Sequence, residues 1–238
     1  MGGHILAAMP SPLLLLDTGS PLVSVALARE GAVVAQRAVE QHRSSALLLD
    51  LVREVLEEAG IEVRDLGGIA ALRGPGSFTG LRIGLATALG LHQALGVPAT
   101  ALPTLQVLAA AARAEEEVVV AAVDALRGEW SAQAFAAGDV PSPLGEMALV
   151  QSSGLPRLTD GRTAAVVGFG ASGLAALPGW PAGPRLVEPG PLAPAAARLA
   201  AAPGTVWDPA LLVSPIYSRP PAISLPRPRA AAPASREA

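Results

Sequence analysis

The stretch Arg73-Gly74-Pro75-Gly76-Ser77-Phe78-Thr79-Gly80-Leu81-Arg82-Ile83-Gly84 decides the fold of this chain. It joins a short apolar strand, predicted over residues 68–72, to a long apolar helix predicted over residues 77–96. Its closely spaced glycines and its proline favour a tight turn, which opens onto the free N–H groups of a helix N-terminus. A phosphate cradle and a purely structural turn are both compatible with this layout.

The two best-known phosphate loops do not fit this stretch. A P-loop needs a lysine that is absent, and the glycines at 74, 76 and 80 miss the dinucleotide spacing by one residue. No carboxylate follows about twenty residues later to hold a ribose. The structural turn is therefore the stronger interpretation, and an anion site remains the alternative.

Composition excludes several kinds of chemistry. With 238 residues, 51% of them apolar, the chain can form one or two globular units. All 17 basic residues are arginine and no cysteine is present, which excludes lysine Schiff bases, cysteine nucleophiles, disulfides and thiolate metal sites. The histidines, His4, His42 and His92, lack metal-ligand spacing, so we expect no metal site and no cofactor.

Charge and hydropathy bear on partners and location. A net charge of −3 does not suit direct binding of nucleic acid, because phosphate contacts need clustered positive charge, so any RNA would be held through a partner. The longest apolar run, residues 83–102, contains His92, Gln93 and Pro98 and predicts a buried helix and strand, not a membrane span. Because the N-terminus has no basic targeting segment, we expect a soluble cytoplasmic protein.

The order of predicted elements is that of an α/β protein. The first half is predicted to contain a meander of three antiparallel strands and then alternating helices and strands, over residues 13–18, 22–28, 32–39, 44–59, 68–72, 77–96, 97–102 and 104–114. Three more strands are predicted over 117–124, 130–136 and 163–168, and beyond them frequent Pro and Gly make regular structure doubtful. We expect a first subdomain over 1–102, a reduced second one over 103–218 and a Pro-rich disordered tail over 219–238.

A strand ending in Asp17-Thr18-Gly19-Ser20 is compatible with two chemistries. It matches the aspartic protease motif, but a protease needs two such aspartates and an all-β fold, and only one copy is present. It also matches the first phosphate loop of the actin, Hsp70 and sugar-kinase fold, which lies between the first two strands of a meander. The second interpretation fits the element order, although Asp17 could simply cap the turn.

The other parts of such a nucleotide site are incomplete. The second phosphate loop would lie at Asp124, where Leu126 and Arg127 stand in place of adjacent glycines. Gly168 and Gly170 could be the remnant of an adenosine loop. A weak, degenerate site is therefore predicted at Asp17, Thr18, Gly19, Ser20, Asp124, Gly168 and Gly170.

Two helices carry more apolar surface than one sheet can cover. In the helix over 44–59 the apolar arc spans about 200°, whereas a single buried face needs about 100°. In the helix over 77–96, small residues recur every four positions and would permit close approach of another helix. We predict a protein interface at Leu47, Leu51, Gly80, Gly84, Thr87, Ala88 and Leu91, with burial by the chain's own second subdomain as the alternative.

These residues resemble a known family, that of the bacterial protein TsaB, also called YeaZ. The resemblance rests on Leu15-Leu16-Asp17-Thr18, Ser24-Val25-Ala26-Leu27, His42-Arg43-Ser44, the stretch from Arg73 to Gly84, Asp124-Ala125, Arg127-Gly128-Glu129 and Pro215-Ile216-Tyr217-Ser218-Arg219. It covers residues 13–136 well and the remainder loosely. Gly19 departs from the pattern, since most members have a larger residue there, and it makes the first phosphate loop more complete.

The resemblance implies an actin-like fold with a reduced second subdomain and no complete nucleotide or metal site. It also implies an accessory, non-catalytic role in making threonylcarbamoyladenosine (t6A) in tRNA. In the family, the paralogue TsaD transfers the threonylcarbamoyl group, TsaB binds TsaD through the helices of its first subdomain, and TsaE docks on that pair. TsaB alone forms a homodimer through the same region, and tRNA is contacted only indirectly. The alternative function is a weak ATPase or phosphotransferase of the sugar-kinase fold.

Overall fold

The computed structural model describes residues 10–40, 47–174, 177–180 and 183–219, which form an α/β structure with one five-stranded and one six-stranded sheet. The first sheet has the strand order β3-β2-β1-β4-β5, in which β1, β2 and β3 are antiparallel and β4 and β5 run parallel to β1. Its strands are β1 (Leu13–Asp17), β2 (Leu22–Arg29), β3 (Ala32–Glu40), β4 (Gly68–Leu72) and β5 (Ala99–Leu102). Its helices are α1 (Leu48–Glu58) and α2 (Phe78–Leu95).

The second sheet has a similar topology, with antiparallel strands on one side of β6 and parallel strands on the other. Its order is β11-β10-β6-β7-β8, with β9 also paired to β7, and β10 and β11 run parallel to β6. These strands are β6 (Val118–Asp124), β7 (Glu129–Ala136), β8 (Ser142–Pro143), β9 (Ala148–Gln151), β10 (Ala164–Val167) and β11 (Arg185–Val187). Helix α3 (Thr104–Ala111) leads into this sheet, and α4 (Ala193–Ala201) follows it. Short 3₁₀ turns cover Val63–Asp65, Ser152–Thr159, Ala171–Leu174 and Pro209–Val213.

The elements pack in layers around the two sheets. One face of the first sheet, with Leu14 and Leu16 of β1, packs on α1 and α2. The other face, with Leu13 and Leu15, packs on α3 and α4, which separate it from the second sheet. Every residue of β1 is buried, because successive side chains of a strand point to opposite faces and both faces are covered here.

Most of the predicted elements in the first half are confirmed with shifted ends. The β1–β3 meander and the order strand, helix, strand from β4 to β5 are as predicted. The predicted start of the first helix at Ser44 and the predicted tail beyond Arg219 lie outside the described residues. Helix α2 begins after Ser77, whose hydroxyl accepts a hydrogen bond from the N–H of Gly80, and ends at Gly96 with a left-handed φ of 68°.

Regular structure was predicted to be doubtful after residue 168, and this prediction was wrong. That region contains β11, α4 and the 3₁₀ turn Pro209–Val213. Helix α4 is Ala-rich and contacts β1, β2 and β3, while Pro209–Val213 contacts β5 and α2. Pro194 lies in the first turn of α4, where a proline is tolerated because the N–H there lacks an intrahelical partner. Both segments pack on the first sheet although they fall within the predicted second subdomain, and that division of the chain stays a prediction.

Candidate functional site

The predicted nucleotide site begins with Asp17, at the end of β1, where the carboxylate caps its own turn. Asp17 is only 3% exposed, and its Oδ1 accepts hydrogen bonds from the N–H groups of Gly19 (3.1 Å) and Ser20 (3.2 Å). The other oxygen, Oδ2, is buried and has no hydrogen-bond partner in the described part of the chain. Two N–H groups that a phosphate loop would offer to a ligand are therefore already occupied by a carboxylate.

Burial determines the charge state of this aspartate. Desolvation raises the pKa of Asp17 from its ordinary value of 3.8 to about 6, and the hydrogen bonds from Ser20 and Gly19 only partly oppose it. A buried carboxylate with one free oxygen costs stability whenever it is ionised. Asp17 therefore acts in this chain first as a structural group with an unfavourable charge.

The loop between β4 and α2 packs directly onto the first loop. The N–H of Ser77 donates to the carbonyl of Gly19 over 2.9 Å, and Oγ1 of Thr18 donates to the carbonyl of Gly80 over 2.7 Å. A Cβ built on Gly76 would lie 2.6 Å from the carbonyl oxygen of Gly19, so a side chain there would push the loops apart. These contacts support a structural turn over an anion site for this stretch.

Gly74 lies where the loop after β4, the start of α3 and the C-terminal segment meet. Its N–H donates to Oγ1 of Thr104 over 3.1 Å, and its carbonyl accepts from the N–H of Thr104 over 2.8 Å. Its φ is 102°, in the region that favours glycine, and a Cβ would collide with the carbonyl of Ile216. The neighbouring Arg73 carbonyl accepts from the N–H of Ile216 over 2.7 Å, so this glycine fixes the returning C-terminal segment.

The second phosphate loop does not form a cradle. Asp124 is exposed, and its Oδ1 accepts from the N–H of Leu126 over 2.7 Å. Leu126 and Arg127 have left-handed φ angles of 66° and 59°, which is unusual for side chains of this size. Arg219 bonds to the carbonyl of Ala125 over 3.0 Å and pairs with Glu129, so the C-terminal segment holds this turn from outside.

At the loop predicted to be the remnant of an adenosine site, the N–H groups bond to a residue that the sequence analysis missed. Glu188 accepts hydrogen bonds from the N–H groups of Gly170 (3.0 Å) and Ser172 (2.8 Å). Burial tends to raise the pKa of Glu188, but the bonds from Ser172 and Gly170 outweigh it and hold the pKa below its ordinary value. Gly168 lies against the carbonyl of Ala122, where a Cβ would collide. Only the pairing of β11 with β10 brings Glu188 here, so sequence spacing could not have found it.

The structure brings the loops together around one small cleft. It is lined by residues from both halves, namely Gly19, Ser20, Pro21, Pro75, Thr104, Leu108, Val123, Asp124 and Phe169, with Gly168 and Gly170 flanking Phe169. Asp17 and Thr18 are buried and do not line it. The cleft has a volume of about 100 Å³, whereas sites for ligands of nucleotide size have about 300–1,000 Å³. Three of the predicted residues, Gly19, Ser20 and Asp124, therefore line one cleft, and that cleft is too small for a nucleotide.

Four residues of the predicted partner interface belong to the chain's own core, which corrects that prediction. Leu51 is 5% exposed, Ala88 is fully buried, and Gly80 and Gly84 are also buried. A Cβ on Gly84 would lie well under 3.0 Å from Oγ1 of Thr18. The row of small residues on α2 therefore allows close approach to Thr18, at the start of the loop after β1, and not to a partner helix. Leu47 is 36% exposed, and Thr87 and Leu91 are half-buried, so these three stay candidates.

The opposite face of α2 is open and carries a small aromatic cluster. The guanidinium of Arg82 lies 3.9 Å from the ring centre of Phe78, and its Nε donates to the hydroxyl of Tyr217 over 3.3 Å. The rings of Phe78 and Tyr217 are 4.9 Å apart. Beside them runs a groove of about 390 Å³, lined by Arg82, Leu85, Ala86, Leu89, Leu212, Val213, Pro215 and Tyr217. We call this surface the α2 groove.

The described residues contain neither a membrane-spanning helix nor a cluster of metal ligands. No helix in the described ranges is long and apolar enough to cross a bilayer. Within the same part of the chain, no three His, Asp or Glu side chains are grouped so that they could hold a metal ion. His92 bonds through Nδ1 to the carbonyl of Val97 over 2.7 Å, at the end of α2. His4 and His42 lie outside the described residues.

The two sheets have similar topologies, and loops from both halves of the chain meet at one cleft. This architecture is that of the actin, Hsp70 and sugar-kinase fold class. The solved structure of YeaZ from Pseudomonas aeruginosa is 30% identical, with a TM-score of 0.67, and the match covers 79% of this chain and 89% of that one. A second solved structure, of an uncharacterized protein with similarity to peptidase YeaZ from Pseudomonas aeruginosa, is also 30% identical, with a TM-score of 0.69 and coverage of 87% and 99%. The chain belongs to the TsaB (YeaZ) family.

Two sequence comparisons agree with this assignment. The tRNA threonylcarbamoyladenosine biosynthesis protein TsaB of Escherichia coli K12 is 35% identical over 119 residues, which are 49% of this chain and 52% of that protein. The chain thus matches about half the length of the curated relatives. A model of the family TsaD, tRNA N6-adenosine threonylcarbamoyltransferase, matches residues 23–139.

Proposed function

We propose that this protein is a non-catalytic subunit of the machinery that makes t6A in tRNA, and that it binds and activates TsaD. The observation that carries the proposal is the small cleft, where the protein's own groups occupy the donors that a nucleotide would need. Asp17 takes the N–H groups of Gly19 and Ser20, and Glu188 takes those of Gly170 and Ser172. A fold that has lost its ligand site but keeps its two-sheet frame is suited to binding another protein.

Two further findings support TsaD as the partner. The curated relatives are named for t6A biosynthesis, and the family model that matches residues 23–139 is that of the transferase itself. A similar fold in both proteins would allow related helices to pair. We further propose that TsaE joins through the pair, that the chain alone forms a homodimer by the same face, and that tRNA is contacted only indirectly in the cytoplasm.

The proposal is tested by reconstitution with the TsaD of the same organism. We expect the two chains to co-purify, and t6A formation in tRNA to require both of them together with the adenylate-forming enzyme and TsaE. Omitting this chain should abolish t6A, whereas tRNA alone should not be retained by it in a gel-shift assay. Full t6A formation without this chain would contradict the proposal.

We place the partner contact on the α2 groove, which replaces the buried positions of the sequence prediction. Ala86 is exposed in this groove, so Ala86→Glu would put a charged side chain into a dry contact, where even an ion pair with Arg82 of the preceding turn would have to be desolvated, without disturbing the core. We expect TsaD binding to weaken by about tenfold or more, with an unchanged melting temperature. Leu144→Glu is the control, since Leu144 is 43% exposed on the second sheet, and it should bind TsaD normally. If Ala86→Glu bound TsaD normally, the interface would have to lie outside this groove.

ATP provides a test that separates this function from the ATPase alternative. Because the cleft is about 100 Å³, we expect ATP with Mg²⁺ neither to raise the melting temperature of the isolated chain nor to be hydrolysed. The measurement is a thermal shift with a parallel phosphate-release assay. An ATP-dependent rise and turnover that both disappear in Asp17→Asn would favour the ATPase instead.

A further inference from the structure

A second and larger cleft lies along the free edge of β5, with a volume of about 370 Å³. It shares no lining residue with the small cleft between the loops. Its walls are the end of β4, β5, the start of α3 and the chain that follows α4. They combine apolar side chains, such as Leu102, Leu199 and Leu211, with a nearly equal share of polar surface. The volume falls within the range of about 300–1,000 Å³ found for small-molecule sites.

Arg73 is the single charged residue among those that line this cleft. Its Nε is buried without a hydrogen-bond partner in the described chain, and its Nη1 lies 3.5 Å from the Ser214 carbonyl, at the limit of a hydrogen bond. No carboxylate of the described residues pairs with it, and burial lowers the pKa of the guanidinium. A half-buried cation without an anion is a costly arrangement unless a ligand compensates it.

The other polar side chains of the cleft are already engaged. Thr100 and Thr205 donate to the carbonyls of Val206 (2.7 Å) and Leu199 (2.6 Å), and the Gln106 amide donates to that of Pro141 (3.1 Å). One main-chain donor is directed toward the free edge of β5 by the strand pairing. The Leu102 carbonyl accepts from the N–H of Arg73, the residue after β4. Because the main-chain groups of successive strand residues point to opposite sides, the N–H of Ala101 points toward the free edge.

We propose that this cleft binds a small organic oxyanion, a carboxylate or a phosphate ester with a short apolar body, and that Arg73 is its charged anchor. The guanidinium presents parallel N–H groups that match either oxyanion, and the N–H of Ala101 offers one more donor. The apolar walls would take the body of the ligand. The inference is independent of the proposed function, since it concerns a different cleft.

The test uses the full ¹⁵N-labelled chain and follows the Nε–H signals of its arginines by NMR. The probes are hexanoate, hexyl phosphate, inorganic phosphate and the neutral hexanamide. We expect the Arg73 signal to shift saturably with hexanoate or hexyl phosphate and not with hexanamide. The better of the two anions identifies the chemistry of the head group. If inorganic phosphate bound as tightly as hexyl phosphate, the apolar walls would not contribute to binding. That result would contradict the proposal that they hold the body of the ligand.

Three variants separate the site from general charge effects. Arg73→Gln should weaken binding of the preferred probe by about tenfold or more, the scale of one charged hydrogen bond. Ala202→Phe fills the cleft and keeps the arginine, so it should also abolish binding, and it decides the question if Arg73→Gln fails to fold. Arg162→Gln removes another half-buried arginine that bonds to a carbonyl, that of Thr159 over 3.2 Å, and should bind normally. The absence of saturable binding to the wild type, or normal binding by Ala202→Phe, would overturn the proposal.

Discussion

Gly84→Ala is expected to lower the free energy of unfolding by about 2–4 kcal/mol and the melting temperature by about 5–15 °C. The added methyl would lie well under 3.0 Å from Oγ1 of Thr18, with Cβ and Cγ2 of Thr18 3.2 Å away. Thr18 is 3% exposed and cannot move without stretching its 2.7 Å hydrogen bond to the Gly80 carbonyl. This steric cost exceeds the roughly 1 kcal/mol that alanine gains over glycine inside a helix.

Gly90→Ala is the matched control, because it makes the same substitution in the same helix. Gly90 is exposed, and a Cβ there would meet nothing within 4 Å. It should therefore stabilise the chain by up to about 1 kcal/mol. Denaturant unfolding of both variants gives the comparison, and adding Thr18→Ala to Gly84→Ala should recover part of the loss. Equal stability of Gly84→Ala and Gly90→Ala would show that α2 can move away from β1 at little cost.

The same position shows why sequence reasoning assigned residues of the chain's own core to an interface. Small residues every four positions on α2 do predict a close approach, and a close approach is present. The pattern does not indicate which element approaches. A segment of the same chain and a helix of a partner both require small residues on α2 at the point of contact. The apolar runs and the Gly- and Pro-containing turns between them were local signals, so the order of strands and helices from β1 to β5 could be predicted.

Features that depend on distant pairing could not be predicted. Helix α4 has almost no polar face by which to recognise it, and its place is fixed by contact with the first sheet and α3. Glu188 lies 18 residues from Gly170 in sequence and reaches it only because β11 pairs with β10. Of the predicted nucleotide residues, Gly19, Ser20 and Asp124 line the small cleft, and the close packing of Gly76 on Gly19 beside it is not recorded by composition.

Asp17→Asn is expected to change the pH dependence of stability. The pKa of Asp17 is raised from 3.8 to about 6 by burial, so between these values the folded chain binds more protons than the unfolded chain. The contribution of Asp17 to the free energy of unfolding is therefore fully present below about pH 4 and is lost as pH rises through about 6. The shift corresponds to about 3 kcal/mol of destabilisation above that window. Asparagine keeps an oxygen that can accept from the N–H groups of Gly19 and Ser20 but carries no charge.

The measurement is urea unfolding of wild type and variant at about pH 4 and about pH 7.5. The stability of Asp17→Asn relative to wild type should increase by about 3 kcal/mol between the two values, even if its unpaired amide costs something at both. Asp208→Asn is the control, because exposed Asp208 also caps a turn, accepting from the N–H of Ala210 over 2.9 Å, but its removal relieves no buried charge. A pH-independent difference for Asp17→Asn would mean that the carboxylate is compensated. An ion or ligand seated at its free oxygen in solution could supply that compensation, and the loop would then be a working site and not a closed one.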